Sequence, residues 1–151
     1  MSHTGDPAEP FRYLLRVRYG ECDAQKIVFN ARWGDFIDVA ATEYTRTLFG
    51  TVDPSAGIDW RLVRQVVEWK GPAHFDDVLE AQVRTVRVGT TSFTLAFAFR
   101  RWREPALLVT AETVYVVVAP ETGAKLPVPD FHRRALDTGA PGVTVDHAGA
   151  L

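Results

Sequence analysis

The sequence predicts an α+β domain in which one antiparallel sheet wraps around a single long helix. A helix-length segment, residues 31–49, carries apolar side chains at three- and four-residue spacing. Strand-like segments with alternating apolar residues follow it and are separated only by short turns, which favours an antiparallel meander. A lone helix of about five turns must pack its apolar stripe on that sheet to bury it.

Length and composition fit one ordinary folded unit. The chain has 151 residues, of which 46% are hydrophobic and 24% charged, and its formal net charge is −2. The absence of a basic run argues against nucleic-acid binding, and no stretch approaches the roughly 20 apolar residues that cross a bilayer. The N-terminus lacks the apolar core of a signal peptide and Cys22 is the only cysteine, so we expect a cytoplasmic protein.

Three segments are expected along the chain. Residues 1–10 are polar and contain two prolines, so they are predicted to form a disordered N-terminal tail. Residues 11–137 form the folded domain. Residues 138–151 are small, rich in glycine and alanine, and predicted to be a flexible C-terminal tail.

The first strand and the helix have clear sequence signals. Apolar and arginine side chains alternate from Phe11 to Tyr19, which predicts a half-buried strand. A polar loop then leads to the helix. Asn30 is the expected N-cap, because its side-chain oxygen can accept from an amide of the first turn. Gly50 is the expected stop, because glycine adopts the left-handed conformation at little cost.

Four further strands and a short closing helix are predicted downstream. The strands cover residues 60–70, 78–88, 91–102 and 107–118, and the helix covers 129–137. In the second of these strands the apolar parity changes by one residue at Val86, which indicates a β-bulge.

The loop before the helix, within YGECDAQKIVFNARWGDF, holds the side chains best suited to chemistry. Glu21 and Asp23 sit two apart and point the same way if the first strand continues that far. Asp23 lies near the predicted helix start, where free amides favour negative charge and can stabilise an oxyanion. This arrangement suits hydrolysis of an activated acyl group, although a cap or a solvated turn is the plainer interpretation of these residues alone.

This loop resembles the signature of the 4-hydroxybenzoyl-CoA thioesterase family of hotdog-fold proteins, in which an acidic turn D-x-x-G-x-V-(F/Y) precedes the central helix. The matching residues are Asp23, Ile27-Val28-Phe29 and Trp33. Residues 67–97 and 108–129 resemble the later strands of the family, so the resemblance covers roughly residues 11–137.

The resemblance implies an acyl-CoA thioesterase that hydrolyses an acyl- or aroyl-CoA thioester. Asp23 would act as general base or nucleophile, and the backbone amide of Asn30 would donate to the thioester oxygen. Val28, Phe29 and Trp33 would contact the substrate. No cofactor is implied, because coenzyme A is part of the substrate.

The resemblance also implies a homodimer or homotetramer whose subunits pair edge to edge, with active sites at the interface. Coenzyme A would run along the partner subunit, and Arg87, Thr91 and Ser92 are the candidates for contacting it. One departure concerns Lys26, which stands where the family has glycine. A lysine there could change the path of the loop, or bring an ammonium group near the carboxylate or the coenzyme phosphates.

Other reactive side chains have plainer explanations. Cys22 could attack an acyl group, but an inert thiol is the simpler reading. Glu43 could be a helix carboxylate of the kind that a related hotdog class uses as its catalyst, but an ion pair with Arg46 or Arg32 explains it better. Asp76 and Asp77 are expected in a turn.

Histidines and aromatic residues complete the candidates. His74 is expected in a turn, and His132 and His147 are expected at the surface. The four histidines are scattered, so no metal site is predicted. Four aromatic residues could line an acyl pocket, although core packing explains them equally well. They are Trp33, Phe36, Trp60 and Trp69.

Two alternative functions stay open. The substrate could be the thioester of an acyl carrier protein rather than of coenzyme A. The chain could also be a non-catalytic acyl-CoA-binding protein with the same fold, because fold does not imply activity.

Overall fold

Seven strands and two α-helices make up the described part of the chain, residues 2–4, 9–50 and 58–151 of a computed structural model. The strands are β1 (Ser2–Thr4), β2 (Phe11–Arg16), β3 (Asp59–Trp69), β4 (Val78–Val88), β5 (Ser92–Arg101), β6 (Leu107–Val118) and β7 (Val143–Asp146). The helices are α1 (Trp33–Phe49) and α2 (Asp130–Thr138), and 3₁₀ turns cover Tyr19–Glu21 and Asn30–Arg32.

All described strands belong to one sheet with the order β1-β7-β2-β4-β5-β6-β3. Neighbouring strands are antiparallel except for β2 and β7, which run parallel. The predicted α+β class is therefore confirmed. The sheet is wider than the five strands expected, because one short strand near each end of the chain adds to the edge at β2.

The core lies between α1 and one face of the sheet. The helix contributes its predicted apolar stripe, and alternate residues of β4, β5 and β6 face it. The buried helix residues include Trp33, Phe36, Ile37, Ala40, Ala41 and Tyr44, and the buried sheet residues include Leu79, Ala81, Val83, Phe93, Leu95, Phe97, Phe99 and Val109. Each large apolar side chain buried here contributes about 1.5–3 kcal/mol.

Of the two predictions for the ends of α1, one is confirmed and the other is wrong. Gly50 adopts the left-handed conformation with φ 76°, and its amide donates to the Arg46 carbonyl, so the predicted stop is confirmed. The predicted N-cap is wrong. Asn30 begins a 3₁₀ turn that leads into the helix, and no side-chain capping bond is made there.

The predicted bulge in β4 is confirmed. The register with β5 shifts between Thr85 and Arg87, which leaves Val86 45% exposed between them. A second shift, between Leu62 and Arg64, occurs where β3 pairs with β6. Because β3 lies at the sheet edge, one side of its backbone has no neighbouring strand within the described residues.

The predictions for the chain ends need correction. Residues 143–146 form β7, and Val145 is buried, so a flexible C-terminal tail is wrong. Backbone pairing with β2 holds this segment, and the Asp146 carboxylate accepts the amides of Ala148, Ala150 and Leu151. Near the other end, Ser2–Thr4 pair with β7 rather than being disordered; residues 1 and 5–8 lie outside the described part.

Candidate active site

Asp23 opens a tight hairpin between the first 3₁₀ turn and the helix. The hairpin spans residues 22–28 and is closed by a β-bridge between Cys22 and Val28. The Asp23 amide donates to the Ile27 carbonyl at 2.9 Å, and the Lys26 amide donates to the Asp23 carbonyl at 2.9 Å. The Asp23 side chain is exposed, and its Oδ1 accepts the Gln25 amide at 2.8 Å. One carboxylate oxygen thus orients the group and the other is available to a ligand.

Glu21 and Asp23 do not share a direction, because the condition for it, a first strand that continues as far as Asp23, is not met. The strand β2 ends at Arg16, and the 3₁₀ turn over Tyr19–Glu21 breaks the alternation before either acid is reached. Glu21 is therefore 8% exposed and faces the interior, whereas Asp23 is exposed. Tyr19, predicted to lie on the buried face of the strand, is 75% exposed for the same reason.

A second loop, residues 72–77, holds the hairpin that carries Asp23 from the other side. The Val28 amide donates to the Ala73 carbonyl at 2.9 Å, and the Phe75 amide donates to the Lys26 carbonyl at 3.0 Å. The Asp77 carboxylate accepts both the His74 amide at 2.8 Å and Nε of Arg101 at 2.9 Å.

The turn role expected of Asp77 and His74 is therefore confirmed. The sequence did not predict that Arg101 would bind this loop, because its side chain comes from β5, 27 residues beyond His74.

Lys26 occupies the position where the resemblance expects glycine, and it adopts the conformation that glycine favours. Its φ is 62°, in the left-handed region that L-residues enter at a cost of roughly 1–2 kcal/mol. The lysine therefore does not force the loop into an extended path.

The amide of Asn30 lies at the start of the second 3₁₀ turn, directly before α1. Within the described residues it has no hydrogen-bond acceptor, whereas the preceding Phe29 amide donates to the Glu21 carbonyl at 3.0 Å. First-turn amides of a helix lack intrahelical partners, and the helix dipole adds positive potential there. Such an amide can donate to an oxygen that becomes negative during a reaction.

The other predicted substrate contacts around this hairpin differ in exposure. Phe29 is 51% exposed and reachable, whereas the side chain of Val28, at the closing bridge of the hairpin, is buried. Trp33 is 2% exposed, with ring centroids 5.4 Å from Phe36 and 5.2 Å from Phe99. In the single chain Trp33 and Phe36 therefore act as core residues that support the helix start.

Arg87, Thr91 and Ser92 lie at the far end of the sheet. They surround the turn between β4 and β5, while the other end of β4 begins next to the loop that supports Asp23. The ten residue steps of β4 span about 33 Å at 3.3 Å per residue. Within one chain these residues and Asp23 are not brought together.

The remaining reactive side chains have structural partners. Burial, with the charges of Glu21, Asp23 and Asp77, raises the pKa of the Cys22 thiol, which makes it a poor nucleophile at neutral pH. Glu43 is buried and pairs with Arg46 at 3.2 Å, as the ion-pair reading predicted.

The two histidines predicted at the surface, His132 and His147, differ in their exposure to solvent. His132 is 8% exposed, so its surface prediction is wrong: it packs against Phe49 with ring centroids 4.6 Å apart, and burial lowers its pKa. His147 is exposed, and its Nδ1 lies 3.1 Å from the Tyr13 hydroxyl. Within the described ranges no group of three or more His, Cys, Asp or Glu side chains is placed to hold a metal ion. None of the helices described is both long and apolar enough to cross a membrane.

The two other tryptophans among the pocket candidates lie on β3. Trp60 is half-buried near Phe49 and Phe93, and Trp69 is 56% exposed. A small cavity of about 50 Å³ between α1 and the sheet is lined by Trp60 and Phe93 together with Asp38 and Tyr115. Trp60 also packs against the buried core, so its place in an acyl pocket stays a prediction; Asp38 and Tyr115, on α1 and β6, were not among the sequence candidates.

Comparisons with known proteins agree with this architecture. Residues 17–136 match the model of the thioesterase-like superfamily. The acyl-CoA thioester hydrolase YbgC of Escherichia coli O6:H1 is 32% identical over 113 residues, which cover 73% of this chain and 83% of that protein.

Two solved structures share the fold. A hypothetical protein from Aquifex aeolicus superimposes with a TM-score of 0.76 at 25% identity, covering 84% of this chain and 99% of that one. A thioesterase superfamily protein from Jannaschia sp. CCS1 has a TM-score of 0.79 at 19% identity and covers 93% and 99% of the two chains. This chain therefore belongs to the thioesterase-like superfamily and is a thioester hydrolase with the hotdog fold.

Proposed function

We propose that this thioesterase hydrolyses acyl-CoA thioesters and that Asp23 is its catalytic carboxylate. The observation that carries the proposal is that the hairpin with the exposed, oriented Asp23 carboxylate is followed directly by the 3₁₀ turn whose first amide, that of Asn30, has no acceptor within the described residues. The YbgC relative is named as an acyl-CoA thioester hydrolase, which supports the substrate class.

The reaction needs few groups. The Asn30 amide donates to the thioester carbonyl oxygen and stabilises the negative charge that develops when the carbonyl carbon is attacked. With Asp23 as general base, the carboxylate takes a proton from water as the water oxygen bonds to that carbon. The C–S bond then breaks, the thiolate of coenzyme A takes up the proton, and the acid is released.

Replacing Asp23 with asparagine tests this role. Asparagine keeps the size of the side chain and an oxygen that can accept the Gln25 amide, but it cannot take a proton or form an acyl intermediate. We expect kcat for acyl-CoA hydrolysis to fall by on the order of a thousandfold, with an unchanged unfolding midpoint. Activity that stays within a few-fold of the wild type would remove Asp23 from the mechanism.

A single turnover in water enriched in ¹⁸O separates the two roles of Asp23. If Asp23 is a general base, the heavy oxygen enters the acid product directly. If it is the nucleophile and water attacks the Asp23 carbonyl of the acyl-enzyme, the first turnover leaves the heavy oxygen in the Asp23 carboxylate, which a general base never acquires. Mass spectrometry of the peptide containing Asp23 reads the difference.

We further propose that a second copy of the chain pairs with β3. This edge strand exposes four large apolar side chains: Leu62 at 50%, Val63 at 58%, Val66 at 40% and Trp69 at 56%. An edge with unpaired backbone groups and exposed apolar side chains favours association with another strand. Residues 72–77, which support the Asp23 hairpin, come shortly after the end of β3, so a partner on this edge would lie near the exposed Asp23.

Val63→Lys tests the edge, with Val86→Lys as its matched control. Both valines are exposed residues at β-bulges, but Val63 is on β3 whereas Val86 is on the interior strand β4. We expect sedimentation velocity to show a smaller species for Val63→Lys only. Equal behaviour of the two variants would contradict pairing through β3.

Mixed dimers test whether Arg87 acts across the interface, with Thr91 and Ser92, on the coenzyme of the partner. A subunit carrying Asp23→Asn is refolded together with one carrying Arg87→Ala. Random pairing makes about half of the dimers mixed. If each site combines Asp23 of one subunit with Arg87 of the other, each mixed dimer has one intact site of two. The mixture would then show about a quarter of the wild-type activity. A site built within one subunit would regain nothing on mixing.

A homotetramer would need a second interface, and the outer face of the sheet is suited to one. A groove of about 470 Å³ crosses it, with Ala96 and Ala98 as its floor and Arg64 and Glu112 paired at its rim at 3.7 Å. Sedimentation of Ala98→Arg distinguishes the assemblies: a tetramer would fall to a dimer, while a wild-type dimer would be unaffected.

The choice of carrier is tested in the same assay. We propose coenzyme A as the carrier and a reducing cytoplasm as the setting, which suits a chain with a single cysteine. Hydrolysis rates for the same acyl group on coenzyme A and on acyl carrier protein separate the two substrates. Tight binding of acyl-CoA by the wild type without product would instead support the non-catalytic alternative.

A further inference from the structure

Glu21 is a buried acid next to the catalytic hairpin, and its carboxylate is fully engaged. One oxygen accepts the Arg18 amide at 2.7 Å and the other accepts the Arg18 guanidinium at 2.8 Å. Glu21 also lines a cavity of about 360 Å³ between β2 and α1, and Asp23 is not among the residues that line it. The two neighbouring acids therefore face different spaces, and Glu21 is not placed to share the chemistry of Asp23.

The backbone of Glu21 closes the base of the hairpin. Its carbonyl accepts the Phe29 amide at 3.0 Å, and its own amide donates to the Arg18 carbonyl at 3.0 Å. Asp23 follows two residues later, and Asn30 follows Phe29 directly. The Glu21 carbonyl thus ties together the two chain segments that carry the proposed carboxylate and the proposed oxyanion donor.

The carboxylate of Glu21 stabilises a turn that is weak on its own. The 3₁₀ turn over Tyr19–Glu21 has only three residues, and 3₁₀ hydrogen bonds have poorer geometry than those of an α-helix. A glutamate that accepts the amide of the residue preceding such a turn satisfies a donor that the turn itself leaves unpaired. Without this bond, the Glu21 carbonyl loses its fixed position relative to Phe29.

We infer that Glu21 is a positioning residue. Through the base of the hairpin it fixes the position of Asp23 relative to the Asn30 amide. The inference rests on the proposed roles of Asp23 and Asn30. Displacing reacting groups by about 1 Å can lower a rate by roughly a hundredfold, so a fixed hairpin base affects kcat more than substrate binding.

Side-chain variants of Glu21 test the inference against a matched control. Glu43 is the control, because it forms an ion pair with the same i,i+3 spacing and nearly the same side-chain exposure, 11% against 10%, but lies on α1 and bonds to no hairpin residue. We expect Glu21→Ala to lower kcat by about ten- to a hundredfold with KM within about threefold. Glu21→Gln keeps an acceptor for the Arg18 amide and should recover most of the wild-type kcat. The control Glu43→Ala should retain the wild-type kcat.

A main-chain variant tests the hydrogen bond from the Phe29 amide to the Glu21 carbonyl without changing Glu21. Phe29 has φ −62°, which proline adopts without strain, so Phe29→Pro removes the amide hydrogen and leaves the dihedral angle in place. Phe29→Ala is its control, because it removes the ring but retains the amide. We expect kcat of the proline variant to be about tenfold below that of the alanine variant.

Amide hydrogen exchange at Phe29 provides a readout independent of catalysis. The amide should exchange slowly in the wild type and at least about tenfold faster in Glu21→Ala. If the wild type hydrolyses no thioester, the proposed function fails, and exchange alone decides whether Glu21 anchors the hairpin.

Three outcomes would overturn the inference. They are a kcat for Glu21→Ala within twofold of the wild type, an equal kcat loss in Glu43→Ala, and an unchanged exchange rate at Phe29. Should Glu21→Ala not fold, Glu21→Gln and the two Phe29 variants decide: equal kcat values for the proline and alanine variants would then overturn the inference.

Discussion

The left-handed conformation of Lys26 predicts that glycine at this position stabilises the protein. A non-glycine residue at φ 62° carries a cost of roughly 1–2 kcal/mol from the clash of its Cβ with the backbone. Glycine removes that cost but loses about 0.5–1 kcal/mol more backbone entropy on folding. We therefore expect Lys26→Gly to raise the free energy of unfolding by about 0.5–1 kcal/mol, which for a chain of this length is about 1–4 °C in Tm.

Two controls separate strain from other effects of the substitution. Lys26→Ala removes the long side chain but keeps Cβ, so it should leave the stability unchanged within about 0.5 kcal/mol. Gln25→Gly adds the entropy cost at a neighbour that is not in the left-handed region, so it should destabilise. Urea unfolding of all four proteins at one subunit concentration gives the comparison. A Lys26→Gly variant that is no more stable than Lys26→Ala would refute the strain argument.

Three further predictions follow from single positions. Gly50→Ala should lower the free energy of unfolding by about 1 kcal/mol, because Gly50 has φ 76°. Its control, Gly20→Ala, should be nearly neutral, because no atom lies within 4 Å of the added Cβ. Equal unfolding midpoints of the two variants would contradict this prediction. Cys22→Ser should keep kcat within about twofold, because burial raises the pKa of the thiol and no step uses it; a large loss would make Cys22 part of the mechanism. Burial lowers the pKa of His132, so the folded state binds fewer protons than the unfolded state, and stability should be lost as pH falls through the ordinary value of 6.5. His132→Phe should lose less stability than the wild type between about pH 7.5 and about pH 5.5 in urea unfolding, and an equal loss would show that other groups cause it.

The sequence predicted those parts of the fold that have a local signature. The spacing of apolar residues located α1 within two residues of its observed bounds, because the 3.6-residue period is a property of one helix. The parity change at Val86 located the bulge in β4, because a strand has a strict two-residue period. Gly50 marked the end of α1 for a similarly local reason, its tolerance of positive φ.

The termini show where local signals end. Residues 138–151 have few bulky apolar groups, yet β7 forms there because β2 offers a parallel backbone edge. Contacts such as the one between Tyr13 and His147 join residues 134 positions apart, and no periodic pattern in the sequence encodes them. Small residues can be ordered by backbone hydrogen bonds, which composition does not report.

For the candidate site, the sequence by itself determined the chemical groups and the segment that carries them. Asp23, the amide of Asn30 and the residue at position 26 are fixed by sequence order alone. Only the tertiary structure decided that Glu21 turns inward while Asp23 stays exposed, and that Arg87 lies a full strand length away. The reason is physical: the direction of a loop side chain follows the path of the backbone, which here depends on the 3₁₀ turn and on hydrogen bonds to residues 72–77, whereas the identity of the group does not.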